Sequence, residues 1–143
     1  MKAIRIILRI LYGFVGIGAI AGGTAAIADP VAPMDAPLSM LENSPFDTFL
    51  VPGILLAAVI GAGNIFALVI SLWKPRATSY TGCVTGTAMV IWIVVQCIML
   101  RSVVSLHVIF FFVGVAQGVL GLTLLFHNRQ FPASFIVRCF GRR

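Results

Sequence analysis

DPVAPMDAPLSMLENSPFDTFLVPG, residues 29–53, is the stretch whose reading decides the fold. It holds all four carboxylates of the chain, Asp29, Asp35, Glu42 and Asp47, five of its seven prolines, and no lysine or arginine. On either side the chain turns apolar for about 20 residues, enough to cross the hydrocarbon core of a bilayer. Basic residues stand only beyond those apolar spans. A proline-rich acidic loop between two spans is therefore the fixed point from which the topology is read.

The composition agrees. Of 143 residues 60% are hydrophobic and 10% charged, and the mean hydropathy is +1.09, whereas soluble domains carry about a quarter charged residues. So few charges cannot clothe a soluble core, and the chain reads as one integral membrane domain. The net charge of +6 does not imply a nucleic-acid partner. The basic residues edge the apolar spans instead of forming a polar face, and the lipid bilayer accounts for them.

Four transmembrane helices are expected, over about residues 6–27, 49–73, 80–100 and 103–126, followed by a basic tail, 127–143. The first span has two readings. Lys2, Arg5 and Arg9, an apolar run and Ala26-Ile27-Ala28 also suit a cleaved signal peptide, but the run is long for a signal-peptide core of about 7–15 residues, which favours a retained helix. Pro52 lies near the entry of the second span, where its missing N–H is harmless. Within the loop, residues 37–43 suit either a short surface helix or a plain loop. Trp73-Lys74-Pro75-Arg76 marks an interface and a helix stop. Only Arg101 and Ser102 separate the last two spans, so these form an antiparallel hairpin. The tail reads as an amphipathic segment on an anionic leaflet or as a disordered basic end.

Nine of the ten basic residues fall on one side, in the N-terminus, the second loop and the tail; only Arg101 falls on the other. By the positive-inside rule both termini are cytoplasmic, and the acidic loop faces outward.

Candidate functional residues are few. Asn64, Gln96 and Gln117 are the large uncharged polar side chains within the spans. They suit hydrogen bonds between helices or the lining of a pocket for a small apolar or lipid-like ligand beneath the loop. No Asp, Glu or Lys lies mid-span, which disfavours ion-coupled transport. Gly18 and Gly22 have the small-xxx-small spacing of close helix packing. Gly114, Gly118 and Gly121 share a stripe with His107 and Phe111 on the fourth span. Asp47, Arg101 and His107 form a polar cluster at the outer face, with one histidine where a metal centre takes three or four ligands. Cys83, Cys97 and Cys139 form no CxxC pair and read as packing residues. Neither a catalytic motif, a metal site nor a cofactor is expected.

The run Ser44-Pro45-Phe46-x-x-Phe49-Leu50-x-Pro52-Gly53, with Trp92-Ile93-x-Val95-Gln96 further on and Asp29-Pro30 after a Gly-rich first span, resembles a family of small, uncharacterised four-span bacterial membrane proteins. In span count and size the chain is also superficially similar to DoxX-like four-helix proteins. The resemblance implies a retained first helix and a bacterial cytoplasmic (inner) membrane, and no activity. Two functions are thus expected in turn. The first is a non-enzymatic accessory or assembly subunit whose glycine faces pack against a homo-oligomer or a larger membrane protein partner. The alternative is the small binding or transport module.

Overall fold

The structure, a computed structural model, describes residues 1–128 and 130. Among these it is all-helical, with four helices long and apolar enough to cross a membrane: α1 (Lys2–Ala28), α2 (Leu50–Trp73), α3 (Thr78–Leu100) and α4 (Ser105–His127). The basic tail beyond Gln130, with its two readings, lies outside the described residues.

Local chemistry sets the helix ends. α1 stops at Asp29-Pro30. The Asp29 amide closes the last turn on the Ala25 carbonyl (3.0 Å), and the Asp29 side-chain Oδ1 then accepts the N–H groups of Val31 (3.2 Å) and Ala32 (3.1 Å), turning the chain out of the helix. The acidic loop contains two short 3₁₀ turns, Pro33–Asp35 and Leu38–Leu41, the second within residues 37–43, where a short surface helix or a plain loop was expected. It closes on itself through the Phe49 N–H to the Pro30 carbonyl, 2.9 Å, and is pinned to the bundle by buried Leu41 and Phe49 against Ala26. α2 ends at Lys74, held extended (φ −127°, ψ 83°) because the following Pro75 disfavours helical backbone before it.

α3 ends on Arg101 in the left-handed region (φ 44°, ψ 29°), a helix-end conformation that glycine adopts without the Cβ clash. Arg101→Gly is expected to raise stability by about 1 kcal/mol, seen as a higher thermal midpoint in detergent. A lowered midpoint would mean that the arginine side chain holds the turn.

The helices pair as two antiparallel hairpins, each sealed by small residues. In the first, an added Cβ on Gly23 would stand 2.6 Å from the Gly53 carbonyl oxygen and 2.8 Å from the Ala57 nitrogen; one on Gly61 would meet Ile20 at 2.6 Å. In the second, Gly82, Gly86, Gly114 and Gly121 bring the α3 and α4 backbones together, and a Cβ on Gly121 would stand 2.6 Å from the Cys83 nitrogen. The close approach of α1 thus falls at Gly16 and Gly23, which face α2. It does not fall at Gly18 and Gly22, whose added Cβ atoms would meet only Phe110 at 3.8 Å and Leu56 at 3.5 Å. Gly114 and Gly121 face α3 within the chain, whereas a Cβ on Gly118 would meet nothing within 4 Å.

α2 winds as a π-helix from Leu56 to Ala62. The seam residues Gly53, Ala57, Gly61 and Ile65 are spaced by four, and on an α-helix of 3.6 residues per turn that stripe drifts by ~40° per step. The wider π winding turns it back, so all four positions stay against α1. The run Leu56-Ala57-Ala58-Val59-Ile60-Gly61-Ala62 has little side-chain bulk to oppose this.

Between the hairpins the core has two apolar layers, Leu8, Tyr12, Ala67 and Leu124 toward the basic end, and Val15, Ala19, Ile60 and Met89 in the middle. Polar clamps reinforce the basic end. The Tyr12 hydroxyl donates to the Thr78 carbonyl (3.2 Å) and lies 3.1 Å from Thr81 Oγ1, tying α1 to α3. Arg9 Nε donates to Ser71 Oγ at 3.1 Å, placing a cation at the C-terminal end of α2 where the helix dipole favours it. The Gln130 amide donates to the Arg76 carbonyl, 2.9 Å.

Candidate functional site: an apolar cavity under the loop

The intrahelical polar residues separate into two places. Asn64 and Gln117 are fully buried between the hairpins. Gln117 Nε2 donates to Asn64 Oδ1 (3.0 Å), and Asn64 Nδ2 donates to the Ile60 carbonyl (2.8 Å) inside the π stretch. Gln117 Oε1 is buried with no partner. Neither residue lines the cavity under the loop; they are a cross-hairpin tie. Gln117→Leu strands the Asn64 carbonyl oxygen and is expected to cost about 1–2 kcal/mol. In a double-mutant cycle of thermal unfolding in detergent, adding Asn64→Leu recovers part of that loss. Additive losses would mean that the pair is not coupled.

Gln96 stands apart, on the loop-end half of α3. There the hairpins diverge and leave a cavity of about 720 Å³, within the range of small-molecule sites. α3 supplies Met89, Trp92, Gln96 and Leu100 at spacings of three, four and four, one face of a helix. From α4 come His107 and Phe110. α1 offers Gly18 and Gly22, whose missing side chains create the space, and Phe49, Leu56 and the loop residues Pro33 and Met40 complete the wall. Packed interiors rarely keep voids larger than a water molecule, so an apolar space of this size needs an occupant or an opening. It has an opening: Gly18 and Ala21 of α1 and Leu106 of α4 line the cavity and are also exposed. The cavity therefore opens between α1 and α4 onto the face that lipid covers in a membrane, and reaches the loop end as well, where Met34 and Val104 line it and are exposed. At its edge Phe14 and Phe110 stack with ring centroids 5.9 Å apart.

The polar atoms gather toward the loop end. His107 is nearly buried, and its Nδ1 accepts the Val104 N–H at 3.3 Å. The Gln96 amide and Ser102 complete the lining, and the Trp92 indole Nε1–H is buried without an acceptor. Of the expected outer-face cluster, His107 alone reaches the cavity. Asp47 and Arg101 are exposed, and no salt bridge joins them among the described residues.

Sequence reasoning missed Trp92 and Phe110 as cavity walls and read Gly18 and Gly22 as packing residues. The signal available was the Met89–Leu100 stripe together with α1 glycines in excess of those one helix contact can use. Comparison with family models, with curated proteins and with solved structures finds no match to this chain.

Proposed function

We propose that the chain is a small multi-pass membrane module that binds, or passes along, an apolar or lipid-like molecule in the cavity beneath its acidic loop. The observation that carries this reading is the lateral opening of an apolar cavity at membrane depth. Gly18 lies ten residues from the end of α1, about 15 Å along the helix, where only lipid-soluble molecules are abundant.

The orientation belongs to the same proposal. With five of the six basic residues among the described residues at the end away from the loop, that end faces the cytoplasm, and the loop with the cavity beneath it lies toward the outer side. The bacterial inner membrane rests on the family resemblance. A second reading, an assembly subunit packing against its own copy or a larger membrane protein, keeps one observation: Gly118 points its α-hydrogen into open space. Gly114 and Gly121 no longer argue for it, since their close contacts lie within the chain.

The test uses Trp92 as reporter. Trp73 is 81% exposed at the far end of α2, so Trp73→Phe leaves a single tryptophan in the cavity wall. Brominated alkanes quench tryptophan on contact. Saturable quenching at trace mole fraction in nanodiscs is expected, whereas quenching that only rises in proportion to probe would be bulk partition and would refute the cavity site.

A further inference from the structure

The polar atoms of the cavity restrict the head of its ligand, an inference that rests on the ligand-binding reading above. Among the described residues no Asp, Glu, Lys or Arg lines the cavity. A charged head would therefore sit there without a counter-ion, in a wall that is mostly hydrocarbon, which disfavours it strongly.

What the wall does offer is hydrogen-bond donors. Because His107 Nδ1 accepts the Val104 N–H, that nitrogen carries no proton, and the neutral imidazole bears its hydrogen on Nε2. The ring is held in this tautomer by the first turn of α4, so Nε2–H is a donor of fixed origin, and no hydrogen bond occupies it among the described residues. The Trp92 indole N–H, although without an acceptor in the chain, is closed off from the cavity space, so Trp92 lines the wall as an apolar surface. The Gln96 amide supplies two further N–H groups beside its one acceptor oxygen, leaving donors in the majority. Buried donors are normally satisfied, and here the missing partners would be acceptors.

Depth orders the two ends of the ligand. Gln96 and His107 lie within about two turns of the loop end of their helices and Ser102 lies in the turn between them, whereas Met89 and Gly18 lie deeper and are apolar. We infer that the ligand is an uncharged lipid-like molecule, its head presenting acceptor oxygens of the ester or amide carbonyl type to His107 and Gln96. Its apolar tail runs inward past Gly18, Gly22 and Met89. Anionic lipids and bare hydrocarbons are selected against, the first by the missing cation and the second by the donors it leaves unpaired.

The experiment compares three probes with the same dibrominated chain, methyl dibromostearate, dibromostearate at mildly alkaline pH, and dibromo-octadecane, on the Trp73→Phe protein in nanodiscs. The ester is expected to quench Trp92 saturably, with the anion and the hydrocarbon about tenfold weaker, the effect of one or two neutral hydrogen bonds. Replacing both Gln96 and His107 by leucine is expected to abolish the preference for ester over hydrocarbon while hydrocarbon binding persists. An anion that binds as tightly as the ester, or a preference that survives the double substitution, overturns the inference. If ester and hydrocarbon bind alike, the head recognition fails while the cavity stands; if no probe saturates, the cavity reading fails with it. Should the double variant not fold, the three-probe comparison on Trp73→Phe protein decides alone.

Discussion

Gly86→Ala is expected to destabilise the protein by about 2–3 kcal/mol, the upper range for an overpacked contact. The added methyl would stand 2.6 Å from the Gly114 carbonyl oxygen and 2.8 Å from the Gly118 Cα. Both are backbone atoms of α4, and no rotamer change can move them aside. The α3–α4 hairpin must separate along its length, and with it the α4 wall of the cavity. Gly118→Ala, one helix across the same contact, is the control. Its Cβ meets nothing within 4 Å, and alanine in a helix interior is favoured over glycine by roughly 0.5–1 kcal/mol, so this variant is expected to be neutral or slightly stabilised. Thermal unfolding of both variants in the same detergent distinguishes a real seam from a general intolerance of α-carbon substituents. Equal losses for the two would contradict a seam at Gly86.

The second large effect separates binding from folding. Gly18→Phe places a ring into the cavity from α1, at a position where a Cβ has only an ordinary neighbour, Phe110 at 3.8 Å. Helix content and thermal midpoint are expected to stay near those of the parent. Saturable quenching of Trp92 should fall to bulk partition, because the new side chain occupies the volume the ligand would fill. Undiminished binding in a folded Gly18→Phe protein would place the ligand elsewhere.

Much of the fold was legible in the sequence because membranes impose simple rules. Four apolar runs of bilayer length, broken by Asp29-Pro30, Lys74-Pro75 and Arg101, leave one all-helical arrangement, and the structure's helices differ from the expected spans by only a few residues at their ends. Glycine partners were less legible. The α1 sequence offers Gly13, Gly16, Gly18, Gly22 and Gly23, and spacing alone cannot tell which of them face α2. That choice is made by the π stretch of α2, whose register keeps Gly53, Ala57 and Gly61 on one line. A run of small apolar residues permits such winding without announcing it.

The site was half legible for the same reason. Asn64, Gln96 and Gln117 stand out as polar groups in an oily chain, but a residue's depth does not say which neighbour it meets. Asn64 and Gln117 hydrogen-bond to each other across the hairpins, which leaves Gln96 with His107 and Trp92 at the cavity. The space itself comes from what is missing at Gly18 and Gly22, and an absent side chain reads the same in sequence whether it admits a helix or a ligand.

Native mass spectrometry of the protein extracted mildly from its own membrane tests the central claim most directly. The account predicts that the chain retains a small, uncharged, lipid-like molecule in stoichiometric amount, and that Gly18→Phe removes it. A chain that arrives bare of such a molecule, and instead in fixed ratio with a larger membrane protein, would contradict the ligand-binding reading and make this bundle an assembly subunit.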